Sequence, residues 1–195
     1  MNLESLASCV AAVQTARTKS EKYQLIGDML YANPHHLEDI IKIVCATPKD
    51  RVKSNHILAL INTTYGIFPE EYDDLWEEKE VPLILADESP TVVESSLTLL
   101  EARQLKQSIV DGEIVNADIL FKSMSRIAAT VFWGFCFGRT LINYTNIMGG
   151  VCTKTDYSRD RLMNARTIMP PHDVILKAFK GELSDNHTIE PCFPF

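Results

Sequence analysis

Apolar residues recur along this chain at spacings of three and four and almost nowhere at spacings of two, a pattern that suits helices with one buried stripe. Leu3, Leu6, Val10 and Val13 form one stripe, Leu37, Ile40, Ile41 and Val44 a second, and Leu120, Met124, Ile127 and Val131 a third. The best strand candidate, Val81-Pro-Leu-Ile-Leu-Ala86, holds a proline and serves equally well as an extended connector. Asn33-Pro34, Ser89-Pro90 and Asn116-Ala-Asp118 read as helix starts, each a capping side chain followed by proline or an early acid. A further helix is expected after Pro170-Pro171, and the tail from Ile189 to Phe195 reads as extended. The expected fold class is therefore all-α, an irregular bundle of helical hairpins in two lobes. The lobes span about 2–62 and 89–151, with an acidic connector over 63–88 and a C-terminal extension over 152–195.

The chain has 195 residues, 46% hydrophobic and 23% charged, enough to bury a core in one domain or two small lobes. No apolar run has the length of a membrane span, and the opening Met-Asn-Leu-Glu-Ser lacks the regions of a secretory signal, so an intracellular, cytoplasmic protein is expected. The five cysteines, Cys9, Cys45, Cys136, Cys152 and Cys192, are far apart, with no His at ligand spacing. They read as reduced core thiols, and no metal site is expected.

The net charge of −7 hides an asymmetry. Residues 1–60 carry seven Lys or Arg against six acids, 61–120 three against fourteen, and 121–195 nine against six. The ends are mildly basic, and the acids of 70–88 form a solvated surface that could face away from a polyanion.

Phosphate-loop, dinucleotide, zinc-protease and nucleophile-elbow motifs are missing, so no catalytic residue is assigned and a self-contained enzyme ranks last. His35-His36 follows a proline at a helix start and reads as a surface pair. Asp111-Gly112-Glu113 resembles an element of the nucleotidyltransferase domain of ATP-dependent ligases, but the upstream Lys-x-Asp-Gly of that family is missing, and Asp111-Gly112 reads as a turn. Gly138-Arg139-Thr140 breaks the apolar run Thr130-Val-Phe-Trp-Gly-Phe-Cys-Phe137 and opens the amphipathic segment Leu141–Met148. Two readings stand: a glycine that ends one helix before the next, or backbone N–H groups beside an arginine that seat a phosphate.

Three blocks carry a family resemblance. The first is Leu6–Val13 with Thr18-Lys19-Ser-Glu-Lys22-Tyr-Gln-Leu-Ile26 and Asn33–Val44; the second is Thr98–Lys106 with Ile109–Asp118; the third is Val131–Gly150. Together they resemble the all-helical N-terminal DNA-binding domain of ATP-dependent DNA ligases, especially the short bacteriophage type. The acidic middle and the stretch with Arg159, Arg161 and Arg166 depart from that pattern, whereas Ile189–Pro194 resembles the family's connector to its catalytic domain.

The resemblance implies a non-catalytic portion, residues 1–151, that grips nicked double-stranded DNA for strand joining. It implies no cofactor in this chain; ATP and Mg would belong to a partner nucleotidyltransferase domain or subunit. Such binding rests on phosphate contacts from Lys, Arg and helix-start N–H groups. The DNA-binding candidates are Lys19 and Lys22 at the first basic turn and Gly138, Arg139 and Thr140 at the second, with Arg126, and beyond it Lys106, extending the footprint. The alternative is a helical protein–protein interaction module without nucleic-acid binding, using the acidic middle and exposed aromatics such as Trp76 or Trp133.

Overall fold

A computed structural model describes residues 1–53, 55–57, 59–60, 97–113 and 124–184. Its helices are α1 Leu3–Thr15, α2 Lys19–Ala32, α3 Leu37–Val44, α4 Leu99–Val110, α5 Arg126–Cys136, α6 Tyr144–Cys152, α7 Arg159–Ala165 and α8 Pro171–Phe179. The fold is all-α; the one β feature among the described residues is a lone antiparallel bridge between Asn2 and Thr98. No helix among them is long and apolar enough to cross a membrane. The strand candidate 81–86, the starts at Ser89 and Asn116, the acidic run with Trp76, Leu120 and the tail 189–195 lie outside the described residues.

The chain divides into two compact units that are discontinuous in sequence: residues 1–11 with 42–141, and residues 12–41 with 142–195. Helices α1 and α3 each begin in one unit and end in the other. Neither unit follows the sequential lobes 2–62 and 89–151, and α7 and α8, from the supposed extension, belong to the second unit.

In the first unit, Leu3, Leu6, Leu99, Ala102, Ile109, Phe132, Trp133 and Cys136 are buried. The Leu3 N–H donates to the Leu97 carbonyl at 2.8 Å, and the Ser125 hydroxyl donates to the Glu4 carboxylate at 2.7 Å, tying the start of α1 to the segments before α4 and α5. Helix α4 opens with a reciprocal capping box between Thr98 and Glu101. It ends in the Asp111-Gly112 turn, where Gly112 takes φ +72°. The third apolar stripe is not kept: Met124 and Val131 are buried, but Ile127 is 43% exposed. Ser125 caps α5, so Met124 precedes the helix and its periodicity does not carry through.

In the second unit α2 packs along α6, and α7 and α8 pack on α6 and on each other. Ile26, Leu30, Ile40, Ile147, Met148, Val151, Leu162, Val174 and Ile175 are fully buried. Glycines permit the α2–α6 approach: a Cβ on Gly27 would lie 2.7 Å from the Gly150 carbonyl oxygen, and one on Gly150 would lie 3.0 Å from the Gly27 nitrogen. Lys154 pairs with Asp28 at 2.6 Å across the same two segments. Asn33-Pro34 opens a single 3-10 turn, Pro34–His36, that leads into α3. The Asn33 side chain does not cap that turn; its Nδ2 donates back to the Met29 carbonyl at 2.8 Å and closes α2.

Candidate nucleic-acid interface

The six predicted contacts divide between the units: Arg126, Gly138, Arg139 and Thr140 fall in the first, Lys19 and Lys22 in the second.

The Gly138 turn closes α5. Gly138 adopts φ +68°, its N–H donates to the Phe135 carbonyl at 3.3 Å, and the Arg139 N–H donates to the Gly134 carbonyl at 2.9 Å. This pair of bonds is the Schellman arrangement that caps helix C-termini. The Leu141 N–H donates to the Val44 carbonyl at 2.8 Å, and the Thr140 hydroxyl donates to the Ala46 carbonyl at 2.6 Å. The close approach that glycine allows is made to the protein itself, since a Cβ on Gly138 would lie 3.1 Å from Pro48 Cα. Helix α6 begins only at Tyr144, capped by Asn143, whose side chain accepts from the Asn146 N–H. The N–H groups of Gly138, Arg139 and Leu141 and the Thr140 hydroxyl are thus engaged with carbonyls of the first unit, the Thr140 N–H has no acceptor among the described residues, and the helix-ending reading of Gly138 describes the local geometry.

Arg126 is exposed at the first position of α5, and Arg139 is half-buried. Lys106 does not extend any footprint: it is buried, with Nζ 3.9 Å from the centroid of the Phe135 ring. Desolvation draws its pKa down, against the opposing pull of Cys136 and Asp50. Its stem packs in α4, so helical periodicity placed it near apolar neighbours and its charge gave a false surface signal. Trp133 is fully buried beside Phe132, with ring centroids 5.3 Å apart, and is not an exposed aromatic contact.

The second unit has an open helix start with cations around it. Thr18 caps α2, its hydroxyl accepting from the Glu21 N–H at 3.1 Å, and its carbonyl accepts from the Lys22 N–H. The N–H groups of Lys19 and Ser20 have no acceptor among the described residues. Helix geometry leaves these first donors pointing outward with the positive end of the macrodipole. Lys19 is exposed and Lys22 half-buried, and neither forms an ion pair among the described residues. Glu21 is the opposing charge, and its carboxylate accepts the Arg17 N–H at 3.0 Å.

Tertiary packing adds a cation from far along the chain. The Arg159 guanidinium, at the start of α7, lies over the Tyr23 ring with Cζ 5.5 Å from the centroid. Tyr23 follows Lys19 by one helical turn, so the ring under Arg159 lies on the Lys19 side of α2, whereas Lys22, adjacent to Tyr23 in sequence, projects from a different side of the helix. In the sequence Arg159 stands out only as a departure from the family pattern. Its basic neighbours Arg161 and Arg166 are visible there, but a 136-residue separation gives no sign of its partner.

No protein-family model matches the chain, and no curated protein is similar to it at a significant level.

Proposed function

We propose that this chain binds double-stranded nucleic acid through the phosphate backbone, with Lys19, Lys22 and Arg159 as principal contacts, as the DNA-gripping portion of an ATP-dependent DNA ligase would. The observation that carries the reading is the Arg159–Tyr23 contact, which brings a third cation onto α2 one helical turn after Lys19, on a helix whose start carries two lysines and two N–H groups without an acceptor among the described residues. Lysines at an open helix start with an arginine one turn further on favour a phosphate backbone over a lone carboxylate, because N–H donors, ammonium groups and a guanidinium fork can each take phosphate oxygens. Arg126 and the 138–140 turn are secondary in this reading, since the Gly138 and Arg139 N–H groups and the Thr140 hydroxyl are engaged within the protein.

The test is fluorescence anisotropy of a labelled nicked duplex at low and moderate salt, with intact duplex as competitor. The wild type is expected to bind with affinity that falls as salt rises. Lys19→Glu with Lys22→Glu is expected to weaken binding and to reduce the salt slope by roughly one for each phosphate that is no longer neutralised. No binding at low salt would sink the reading and favour the protein-interaction module, which would then need contacts other than the buried Trp133.

A further inference from the structure

We propose that Tyr23 and Gly149 are positioning residues for the phosphate contact made by Arg159; this deepens the nucleic-acid reading and rests on it. The Tyr23 ring lies directly against α6 at Gly149: a Cβ there would sit 2.5 to 2.8 Å from the ring atoms Cε1, Cδ1 and Cζ. Real Cβ atoms do not approach a ring so closely, so hydrogen at position 149 is what lets the ring occupy this place. Over the same ring sits the Arg159 guanidinium, 5.5 Å from its centroid. Arginine has high rotamer freedom, and a ring beneath its plane removes much of that freedom before a ligand arrives. Gly149 therefore sets the ring, the ring sets the guanidinium, and the ring lies one helical turn after Lys19 on α2.

Two further features fit a positioning role. The ring face under Arg159 is already covered, so Tyr23 does not offer that face to a nucleobase, and its part in binding is indirect. Arg159 lies next to Ser158, whose hydroxyl accepts from the Arg161 N–H and fixes the backbone from which the Arg159 side chain extends. The guanidinium is thus held at its base by a capped helix start and at its tip by an aromatic ring.

The experiment compares the full chain with Tyr23→Phe, Tyr23→Leu and Gly149→Ala, measuring duplex affinity across a salt series and the Arg159 Nε–H resonance by NMR. The wild-type resonance is expected to be shifted by the ring current, and Tyr23→Phe to keep both this shift and wild-type binding. Tyr23→Leu is expected to lose the shift, weaken duplex binding by about fivefold at low salt and lower the salt slope by about one. Gly149→Ala, where it folds, should move in the same direction as Tyr23→Leu. A Tyr23→Leu variant with wild-type affinity and slope overturns the positioning role while leaving the nucleic-acid reading intact. An Arg159 resonance that does not respond to Tyr23→Leu overturns the geometry, and a wild type that binds no duplex at low salt overturns the parent reading and the role with it.

Discussion

At the scale of single residues, two positions behave differently from what their chemical type suggests. Gly138 resembles an invitation to a ligand, yet its positive φ and its approach to Thr47 and Pro48 are requirements of the chain's own turn. Gly138→Ala combines left-handed backbone strain with a clash against backbone that has little room to yield, and is expected to cost about 2–4 kcal/mol. Thermal and urea unfolding measure this directly; an unchanged melting temperature would contradict the assigned turn. Lys106 has the chemistry of a surface cation and is instead buried over Phe135. Lys106→Met keeps the stem and removes the charge that must be desolvated, so stability is expected to change by less than about 1.5 kcal/mol, with no change in duplex affinity. A clear loss of duplex binding by that folded variant would return Lys106 to the interface. The approach of Gly138 to Thr47 and Pro48 and the burial of Lys106 over Phe135 depend on atoms from segments elsewhere in the chain, whereas the helix-ending role of Gly138 is one of the two readings its local sequence offers.

At the scale of elements, the helices themselves are largely readable, and their ends less so. The stripes of α1 and α3 are buried as their spacing requires, and the helix after Pro170-Pro171 forms at Pro171–Phe179. Thr18, Thr98, Ser125, Asn143 and Ser158 each accept an N–H at the start of a helix, the chemistry expected of these residue types. Side-chain type does not reveal which end of which helix a polar residue serves, and Asn33 closes α2. The pairing of α2 with α6 depends on Gly27 and Gly150, which are inconspicuous in sequence. Gly150→Ala places a methyl 2.8 Å from Ile26 Cβ and 3.0 Å from the Gly27 nitrogen. The overpacking, about 1–3 kcal/mol, outweighs a helix-propensity gain of about 1 kcal/mol at most, so net destabilisation is expected. Calorimetry on the variant checks it, and a raised melting temperature would show that the two helices can separate without penalty.

At the scale of the whole molecule, the two buried thiols among the described residues, Cys45 and Cys136, both report on the core of the first unit. Burial pushes the Cys45 and Cys136 thiols up to about 12 from the ordinary 9.0, with Lys106 pulling the other way on Cys136. A raised folded-state pKa means that stability from keeping these thiols neutral is present below pH 9 and is lost as pH rises from about 9 towards 12. Alkaline unfolding is therefore expected to set in above about pH 9, and Cys45→Ala with Cys136→Ala should flatten that pH dependence even though the cavities lower stability at neutral pH. Equal slopes in the two proteins would contradict it. By itself the sequence determined the all-α class and the buried stripes of α1 and α3, because periodicity is a local property that three- and four-residue spacings encode. Only the tertiary structure decided how the chain divides into units, that the Gly138 donors turn inward, and that Arg159 comes to rest over Tyr23. Those outcomes depend on steric fit between distant segments, a hydrogen in place of a methyl at Gly27, Gly149 and Gly150, and no local pattern in the chain records which surfaces will meet.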